Sequence, residues 1–140
     1  MKKLILLGNP NVGKSVLFGF LTGRYVQVSN YPGTTIEITN SVADWEGEKI
    51  SLTDTPGVNS LLPMSEEEVV TRDMLLREKT DGVIQVADAK NLRRSLMLTL
   101  QLSEMGVPFL LDLNMEDEST ARGIIIDRKR LETFLGVPVV

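Results

Sequence analysis

The chain has 140 residues, enough for one domain with a hydrophobic core. It contains no Cys and no His, which excludes disulfides, Cys or His nucleophiles and thiolate or imidazole metal sites, so any bound metal must be a hard cation held by oxygen atoms. The formal net charge of −4 argues against a nucleic-acid partner, and the lack of a long apolar run or an N-terminal signal pattern predicts a soluble, cytoplasmic chain.

Apolar runs alternate with helical patterns along the sequence. Residues 4–7 are apolar and predict a buried strand, and the pattern of residues 14–23 predicts a helix with Leu17, Phe20 and Leu21 on one face. This alternation is typical of a mostly parallel sheet with helices on both faces. The sequence therefore predicts an α/β fold.

The next part of the chain interrupts this alternation. Residues 24–33 show no periodicity and predict a functional loop. Residues 36–42 and 49–52 then flank a turn that contains Gly47, which predicts a hairpin. We therefore expect one antiparallel strand at the edge of the sheet.

The second half of the chain returns to alternating elements. Helices are predicted over residues 65–79, 92–106 and 127–136, and strands over residues 83–87, 107–113 and 137–140. Ser65 begins a capping box with Glu68, and Asp127 is a second predicted helix cap.

A phosphate-binding loop joins the first strand to the first helix. It consists of Gly8, Asn9, Pro10, Asn11, Val12, Gly13, Lys14 and Ser15, and Val16 follows it in the predicted nucleotide-binding set. A glycine-bearing turn between a buried strand and a helix directs backbone N–H groups and the positive helix end at one point, where phosphate binds. Lys14 is predicted to reach the β- and γ-phosphates, and the Ser15 hydroxyl to bind Mg²⁺.

Two further segments have the spacing of γ-phosphate and Mg²⁺ contacts. Asp54 ends a predicted strand and is expected to hold Mg²⁺ through a water molecule, while the Gly57 N–H meets the γ-phosphate. Gly33, Thr34 and Thr35 end the aperiodic loop. One of the two threonine hydroxyls is expected to reach Mg²⁺ only when a γ-phosphate is present; we favour Thr35, with Thr34 as the alternative.

The last candidate segment follows the predicted strand 107–113 and contains Asn114, Met115 and Asp117. A carboxylate at Asp117 can accept hydrogen bonds from both N1–H and the exocyclic amine of guanine, whereas adenine has no matching pair of donors. Most GTPases have Lys where Met115 stands, and Met supplies a similar apolar contact to the base without the charge. These residues predict a guanine-binding site.

With these motifs in place, the sequence resembles the cytoplasmic G domain of ferrous iron transport protein B, within the TRAFAC class of GTPases. The resemblance covers essentially the whole chain and rests on residues 8–15, 30–35, 54–57, 86–92, 98–102, 114–117 and 136–140. Met115 is similar to the usual form of this family. The chain differs from the family where Tyr31 replaces a frequent Trp and Gly19 a frequent Asn, and Asp112 is unusual in an apolar strand.

The resemblance implies a P-loop NTPase G domain that binds GTP and hydrolyses it to GDP. Val58 stands where Ras-type enzymes have a water-orienting Gln, so intrinsic hydrolysis is expected to be slow. Members of the family use a K⁺ ion held partly by a phosphate-loop Asn, which here is Asn11. The implied catalytic residues are Asn11, Lys14, Thr35 and Gly57, with Mg²⁺ and K⁺ as cofactors.

The resemblance also implies further parts of a larger protein. Members of the family continue into a helical regulatory domain and a membrane-spanning part of a transporter in the bacterial inner membrane, with the G domain in the cytoplasm. A complete G domain has a fifth nucleotide-binding segment and a closing helix, which are expected after Val140. We therefore expect residues 1–140 to be a C-terminally truncated G domain whose exposed apolar sheet face favours self-association.

Two alternative interpretations remain. A free-standing GTPase of the ribosome or tRNA type would share these motifs, although the acidic net charge counts against RNA binding. A nonhydrolysing module would fold around the nucleotide and present a switch surface to a partner.

Overall fold

Strands and helices alternate along the chain in the computed structural model, which describes residues 1–23 and 25–140. The strands are β1 (Lys2–Gly8), β2 (Val26–Asn30), β3 (Glu37–Trp45), β4 (Glu48–Asp54), β5 (Gly82–Asp88) and β6 (Phe109–Asn114). The helices are α1 (Lys14–Leu21), α2 (Glu66–Arg77), α3 (Leu92–Met105), α4 (Glu116–Ala121) and α5 (Arg128–Leu135), and a short 3₁₀ helix covers Ala89–Asn91. Arg24, the first residue of the predicted loop, lies outside the described residues.

The six strands form a sheet in the order β2-β3-β4-β1-β5-β6. β1 pairs in parallel with β4 and β5, and β6 pairs in parallel with β5, whereas β3 runs antiparallel to both of its neighbours. The predicted fold, a mostly parallel sheet with one antiparallel strand, is confirmed. The predicted position of the antiparallel strand at the edge of the sheet is wrong, because β2 pairs along the outer side of β3 and forms the edge.

β2 lies within the stretch 24–33 that the sequence predicts to be a loop. All five of its residues are exposed, so no apolar face distinguishes this strand from a loop. Its backbone pairs with β3 from Val26 opposite Ser41 to Asn30 opposite Glu37. This segment is therefore a strand because its main chain hydrogen-bonds to β3, and such pairing leaves no hydrophobic periodicity in the sequence.

The hairpin between β3 and β4 forms as predicted, with longer strands and a tighter turn. Trp45 and Glu48 are the last paired residues, so the turn contains only Glu46 and Gly47. These two residues have positive φ angles of 52° and 84°, as a two-residue type I′ turn requires. The Asp44 carboxylate accepts a hydrogen bond of 3.0 Å from the Gly47 N–H and stabilises the turn.

Helices cover both faces of the sheet, as predicted, with α2 and α3 on one face and α1 on the other. The buried residues on the α2 and α3 face include Ile5, Leu7, Val70, Met74, Val83, Leu98 and Leu102. The buried residues on the α1 face include Leu6, Val12, Phe18, Leu52, Ile84 and Val86. The sheet therefore has a hydrophobic core on each side.

The predicted buried face of α1 is partly wrong. Leu17 and Leu21 are half-buried against the sheet, but Phe18 is the fully buried residue and Phe20 is 84% exposed. Residues two positions apart on a helix point in nearly opposite directions, so Phe18 and Phe20 cannot both face the sheet.

Both predicted helix caps are present. Ser65 caps α2 and Asp127 caps α5, each by accepting a hydrogen bond from the N–H of the third residue that follows, at 3.4 and 3.0 Å.

Two elements near the C-terminal end differ from the prediction. The sequence predicts no helix at α4, which follows β6. In place of a full final strand, Val139 makes one isolated parallel pairing with Leu111 of β6.

Candidate nucleotide-binding site

The loop between β1 and α1 forms one wall of an open cavity of about 400 Å³. The cavity is lined by Asn9, Pro10, Asn11, Gly13, Lys14, Ser15, Val16 and Gly57. The loop follows β1, which lies between β4 and β5, so it sits beside the carboxyl ends of three parallel strands. This is the edge at which α/β sheets bind ligands. The structure thus brings together most of the residues predicted to contact phosphate.

Two glycines allow the loop to approach its neighbours closely. Gly13 has a φ of 83° directly before α1, and a Cβ at this position would overlap the side-chain amide of Asn114. A Cβ at Gly8 would overlap the main-chain carbonyl oxygen of Val86. Asn11, within the loop, also has a positive φ, of 65°. Left-handed turns of this kind direct successive N–H groups to one side, as anion binding requires.

Lys14, Ser15 and Asp54 converge beside this cavity. The Lys14 ammonium is buried and donates hydrogen bonds to the Asp54 carboxylate and to the main-chain carbonyl of Thr55. The Ser15 hydroxyl lies 3.5 Å from Asp54 Oδ2. The parallel pairing of β4 with β1 places Asp54 opposite Leu6, so the carboxylate lies beside the phosphate loop.

The chemistry of these side chains fits Mg²⁺. The Ser15 hydroxyl and the Asp54 carboxylate are hard oxygen ligands of the kind that Mg²⁺ prefers. Among residues 1–23 and 25–140, no group of three or more acidic side chains could hold a metal ion by itself. Such a site suits a metal that completes its coordination with phosphate and water oxygens.

The segment after β4 packs against the phosphate loop. A Cβ at Gly57 would lie 2.9 Å from Pro10 Cα, so glycine is required at this contact. The Val58 N–H donates a 3.0 Å hydrogen bond to the Gly8 carbonyl, while the Val58 side chain is buried in the core with α2 and α3. The position that orients water in Ras-type enzymes therefore presents only backbone to the loop.

Residues 33–35 form a turn that does not line the cavity. The Thr34 hydroxyl donates to the Tyr31 carbonyl at 2.9 Å and accepts from the Ile36 N–H at 3.1 Å, so it is engaged within the turn. Thr35 is exposed. The structure does not bring either threonine to the other predicted Mg²⁺ ligands, and such contact requires this turn to move.

Tyr31 attaches the turn to α2. Its hydroxyl donates a 2.7 Å hydrogen bond to Asp73, which also accepts from Arg77 at 2.8 Å. Burial, this hydrogen bond and the negative charges of Asp73 and Glu78 together raise the pKa of Tyr31 to about 12. No sequence pattern indicates this contact, because the two side chains are 42 positions apart.

Asn114 joins the predicted base-binding motif to the phosphate loop. It ends β6, and its side-chain amide donates a 2.9 Å hydrogen bond to the Val12 carbonyl. Met115 has a φ of 61°, and its methyl group lies beside Gly13. Asp117 is in the first turn of α4 and is exposed, so its carboxylate is accessible to a ligand.

Two polar contacts near the site involve residues that lie outside the predicted site motifs. Asn59 Oδ1 accepts hydrogen bonds from Asn9 at 3.1 Å and from Arg94 at 3.0 Å, which connects the phosphate loop to α3. Lys90 lies 3.4 Å from Met115 Sδ. Lys90 lies in residues 86–92, which carry part of the family resemblance. No other feature of the sequence indicates that Lys90 lies near the site.

Comparison with known proteins points to one family. A family model described as ferrous iron transport protein B matches residues 2–140. The Fe²⁺ transporter FeoB of Staphylococcus aureus strain COL is 41% identical over 139 residues, which cover 99% of this chain and 21% of the transporter. The Fe²⁺ transporter FeoB of Methanocaldococcus jannaschii is 47% identical over 104 residues, 74% of this chain and 16% of the transporter.

Solved structures agree with these sequence matches. The cytosolic domain of the T. maritima FeoB iron transporter in a GDP form has a TM-score of 0.96 and 44% identity, and the alignment covers all of this chain and 55% of that one. The G domain of the same transporter has a TM-score of 0.92 and 43% identity, with 100% and 86% coverage. In the described part of this chain, no helix is long and apolar enough to cross a membrane.

Proposed function

The chain belongs to the family of ferrous iron transport protein B, and from that premise we propose that it binds GDP and Mg²⁺–GTP and slowly hydrolyses GTP. The observation that carries the proposal is the convergence of Lys14, Ser15 and Asp54 on a loop to which Asn114 is hydrogen-bonded. Relatives described in GDP and GMPPNP forms support the choice of nucleotide.

The phosphate groups bind at the loop between β1 and α1. The N–H groups at the start of α1 and the positive end of its dipole face the cavity. On nucleotide binding the Lys14 ammonium leaves the Asp54 carboxylate and donates to the β- and γ-phosphates, and Asp54 and Ser15 become available as metal ligands. Ser15 and Asp54 would hold Mg²⁺, and the ion would supply positive charge that offsets the negative charge of the phosphates.

The base binds beside Asn114, Met115 and Asp117. The Asp117 carboxylate accepts from guanine N1–H and from the exocyclic amine, and Met115 packs along the base. Asn114 holds this motif against the phosphate loop through its hydrogen bond to Val12. A base that lacks the paired donors leaves a carboxylate without partners, which is the physical reason for guanine selectivity.

Hydrolysis is slow because the apolar Val58 side chain is buried in the core and cannot orient the attacking water. Lys14 would offset the charge that develops on the phosphates in the transition state. Asn11 would hold part of the coordination of a K⁺ ion, which would supply further positive charge there. The exposure of Asn11 and its place in the cavity wall support that role.

Single-turnover cleavage of GTP in KCl and in NaCl tests the enzymatic part of the proposal. We expect faster cleavage in KCl, and an Asn11→Ala variant should cleave at equal rates in both salts while still binding GDP. Equal rates for the unmodified chain would contradict the K⁺ role, and no cleavage at all would favour a nonhydrolysing switch module.

We further propose that the chain is the nucleotide-binding part of a ferrous iron transporter. It spans 21% of the Staphylococcus aureus transporter, and that protein's remaining length has room for regulatory and membrane-spanning parts. The turn formed by residues 33–35 would change position with the nucleotide and signal to those parts. Cleavage of GTP by a full-length transporter with and without Fe²⁺ transport would test this coupling.

A further inference from the structure

Lys90 connects three segments next to the base-binding motif. It lies in the 3₁₀ helix Ala89–Asn91, directly after β5. Its ammonium donates to the Glu118 carboxylate of α4, lies 3.4 Å from Met115 Sδ and lies 3.7 Å from Asp88 Oδ2. The Lys90 side chain is 17% exposed and the Glu118 side chain is 55% exposed, so Lys90 is the sheltered partner of an ion pair that solvent reaches from the Glu118 side.

The element that Lys90 holds is short and carries the base-binding carboxylate. α4 has six residues, and Asp117 lies between Met115 and Glu118, both of which Lys90 contacts. A helix of this length is unstable on its own, so its orientation depends on tertiary contacts. Met115 enters it from a left-handed conformation with a φ of 61°, which also needs support from neighbouring groups.

The Lys90 ammonium lies beside a base-binding motif that has no lysine of its own. Most GTPases have Lys where this chain has Met115, so the motif itself supplies no cation. Here Lys90, on a different element, places an ammonium against the sulfur of Met115. The hydrogen bond to Glu118 raises the pKa of Lys90, so the group stays charged across the neutral range.

We propose that Lys90 is a positioning residue for guanine recognition: by binding Glu118 and packing on Met115, it holds Asp117 in the orientation that accepts both guanine donors. The inference rests on the proposed guanine-nucleotide binding. It concerns a residue outside the phosphate and base motifs, and Lys90 acts through Asp117 without touching the nucleotide itself.

The test compares GDP with inosine diphosphate, whose base keeps N1–H but lacks the exocyclic amine. Dissociation constants are measured for the unmodified 140-residue chain, Lys90→Met, Glu118→Gln, the double variant and Lys90→Arg. Lys49→Met is the matched control, because it makes the same substitution in an exposed ion pair with Asp44, 3.4 Å long, on the β3–β4 hairpin.

We expect Lys90→Met and Glu118→Gln each to weaken GDP binding by roughly 2- to 5-fold and to weaken inosine diphosphate binding less. The double variant should resemble the single variants, because both remove the same contact. Lys90→Arg should retain most of the preference for GDP, and Lys49→Met all of it.

Outcomes that contradict the inference are separable from failure of the proposed function. If the unmodified chain binds GDP and Lys90→Met and Glu118→Gln keep its preference for GDP over inosine diphosphate, the positioning role is wrong while nucleotide binding stands. Equal weakening of both nucleotides would also overturn it, because it would indicate general destabilisation. If the unmodified chain does not bind GDP, both proposals fail. Should Lys90→Met not fold, the near-isosteric Glu118→Gln decides the question.

Discussion

The side-chain amide of Asn114 donates a 2.9 Å hydrogen bond to the main-chain carbonyl of Val12, across 102 positions of sequence. This bond joins the carboxyl end of β6 to the loop that follows β1. The predicted phosphate and base motifs are therefore physically connected, and a substitution in one motif should change ligand affinity at the other.

An Asn114→Ala variant should lose affinity for inorganic pyrophosphate as well as for GDP. The substitution removes the hydrogen bond to Val12 and leaves that carbonyl without its partner, at a cost of about 1 kcal/mol in stability. Isothermal titration with both ligands, together with urea unfolding, measures the two effects. Unchanged pyrophosphate affinity would contradict the physical connection.

Gly13→Ala and Gly19→Ala should have opposite effects on stability. Gly13 has a φ of 83°, and an added Cβ would overlap the Asn114 amide, so alanine should destabilise the chain by about 1–3 kcal/mol and weaken nucleotide binding. Gly19 lies inside α1 with no atom near its added Cβ, so alanine should stabilise the chain by about 0.5–1 kcal/mol. Thermal unfolding of both variants checks the pair, and destabilisation by Gly19→Ala would show that α1 packs differently.

Tyr31 should make stability depend on pH in the alkaline range. Its pKa is raised from 10.0 to about 12 in the folded chain, so the folded state retains a proton that the unfolded state releases. This contribution is fully present below pH 10 and is lost as pH rises towards 12. Tyrosinate absorbance during an alkaline titration should show a late step that is absent in Tyr31→Phe. A Tyr31→Phe variant with the same alkaline stability profile would argue against the hydrogen bond to Asp73.

Asp112→Asn should stabilise the chain at neutral pH. Burial raises the pKa of Asp112, the nearby Glu116 carboxylate adds to the rise and Arg128 opposes it. A carboxyl group with a raised pKa favours folding when protonated and opposes it when ionised, so its penalty appears as pH rises through the folded pKa. The gain in unfolding free energy for Asp112→Asn should be largest near neutral pH and should disappear in acid. A gain that does not vary with pH would have another cause.

Local spacing made the phosphate loop and Asp54 predictable from the sequence. Their motifs specify a strand, a turn and a helix within a few residues, and the parallel pairing of β1 with β4 then brings Asp54 to the loop. Helix caps such as Ser65 are equally local. These features depend on short stretches of chain, where residue type and spacing carry most of the information.

Features that depend on tertiary pairing could not be predicted in the same way. β2 has no buried apolar face. The predicted α1 face of Leu17, Phe20 and Leu21 is wrong at Phe20, which is exposed, while Phe18 is buried. The contacts of Tyr31 with Asp73 and of Lys90 with Glu118 join side chains far apart in sequence, and neither leaves a pattern in composition or periodicity.

Displacement of a fluorescent guanine nucleotide from the 140-residue chain by GDP and by ADP, in Mg²⁺ and KCl, tests the central proposal most directly. We predict that GDP competes and that ADP does not, because the Asp117 carboxylate finds its two donors only on guanine. An Asp117→Ala variant should lose this discrimination while its Lys14–Asp54 phosphate site is unchanged. Equal competition by ADP and GDP, or no displacement by either, would contradict guanine recognition by this chain.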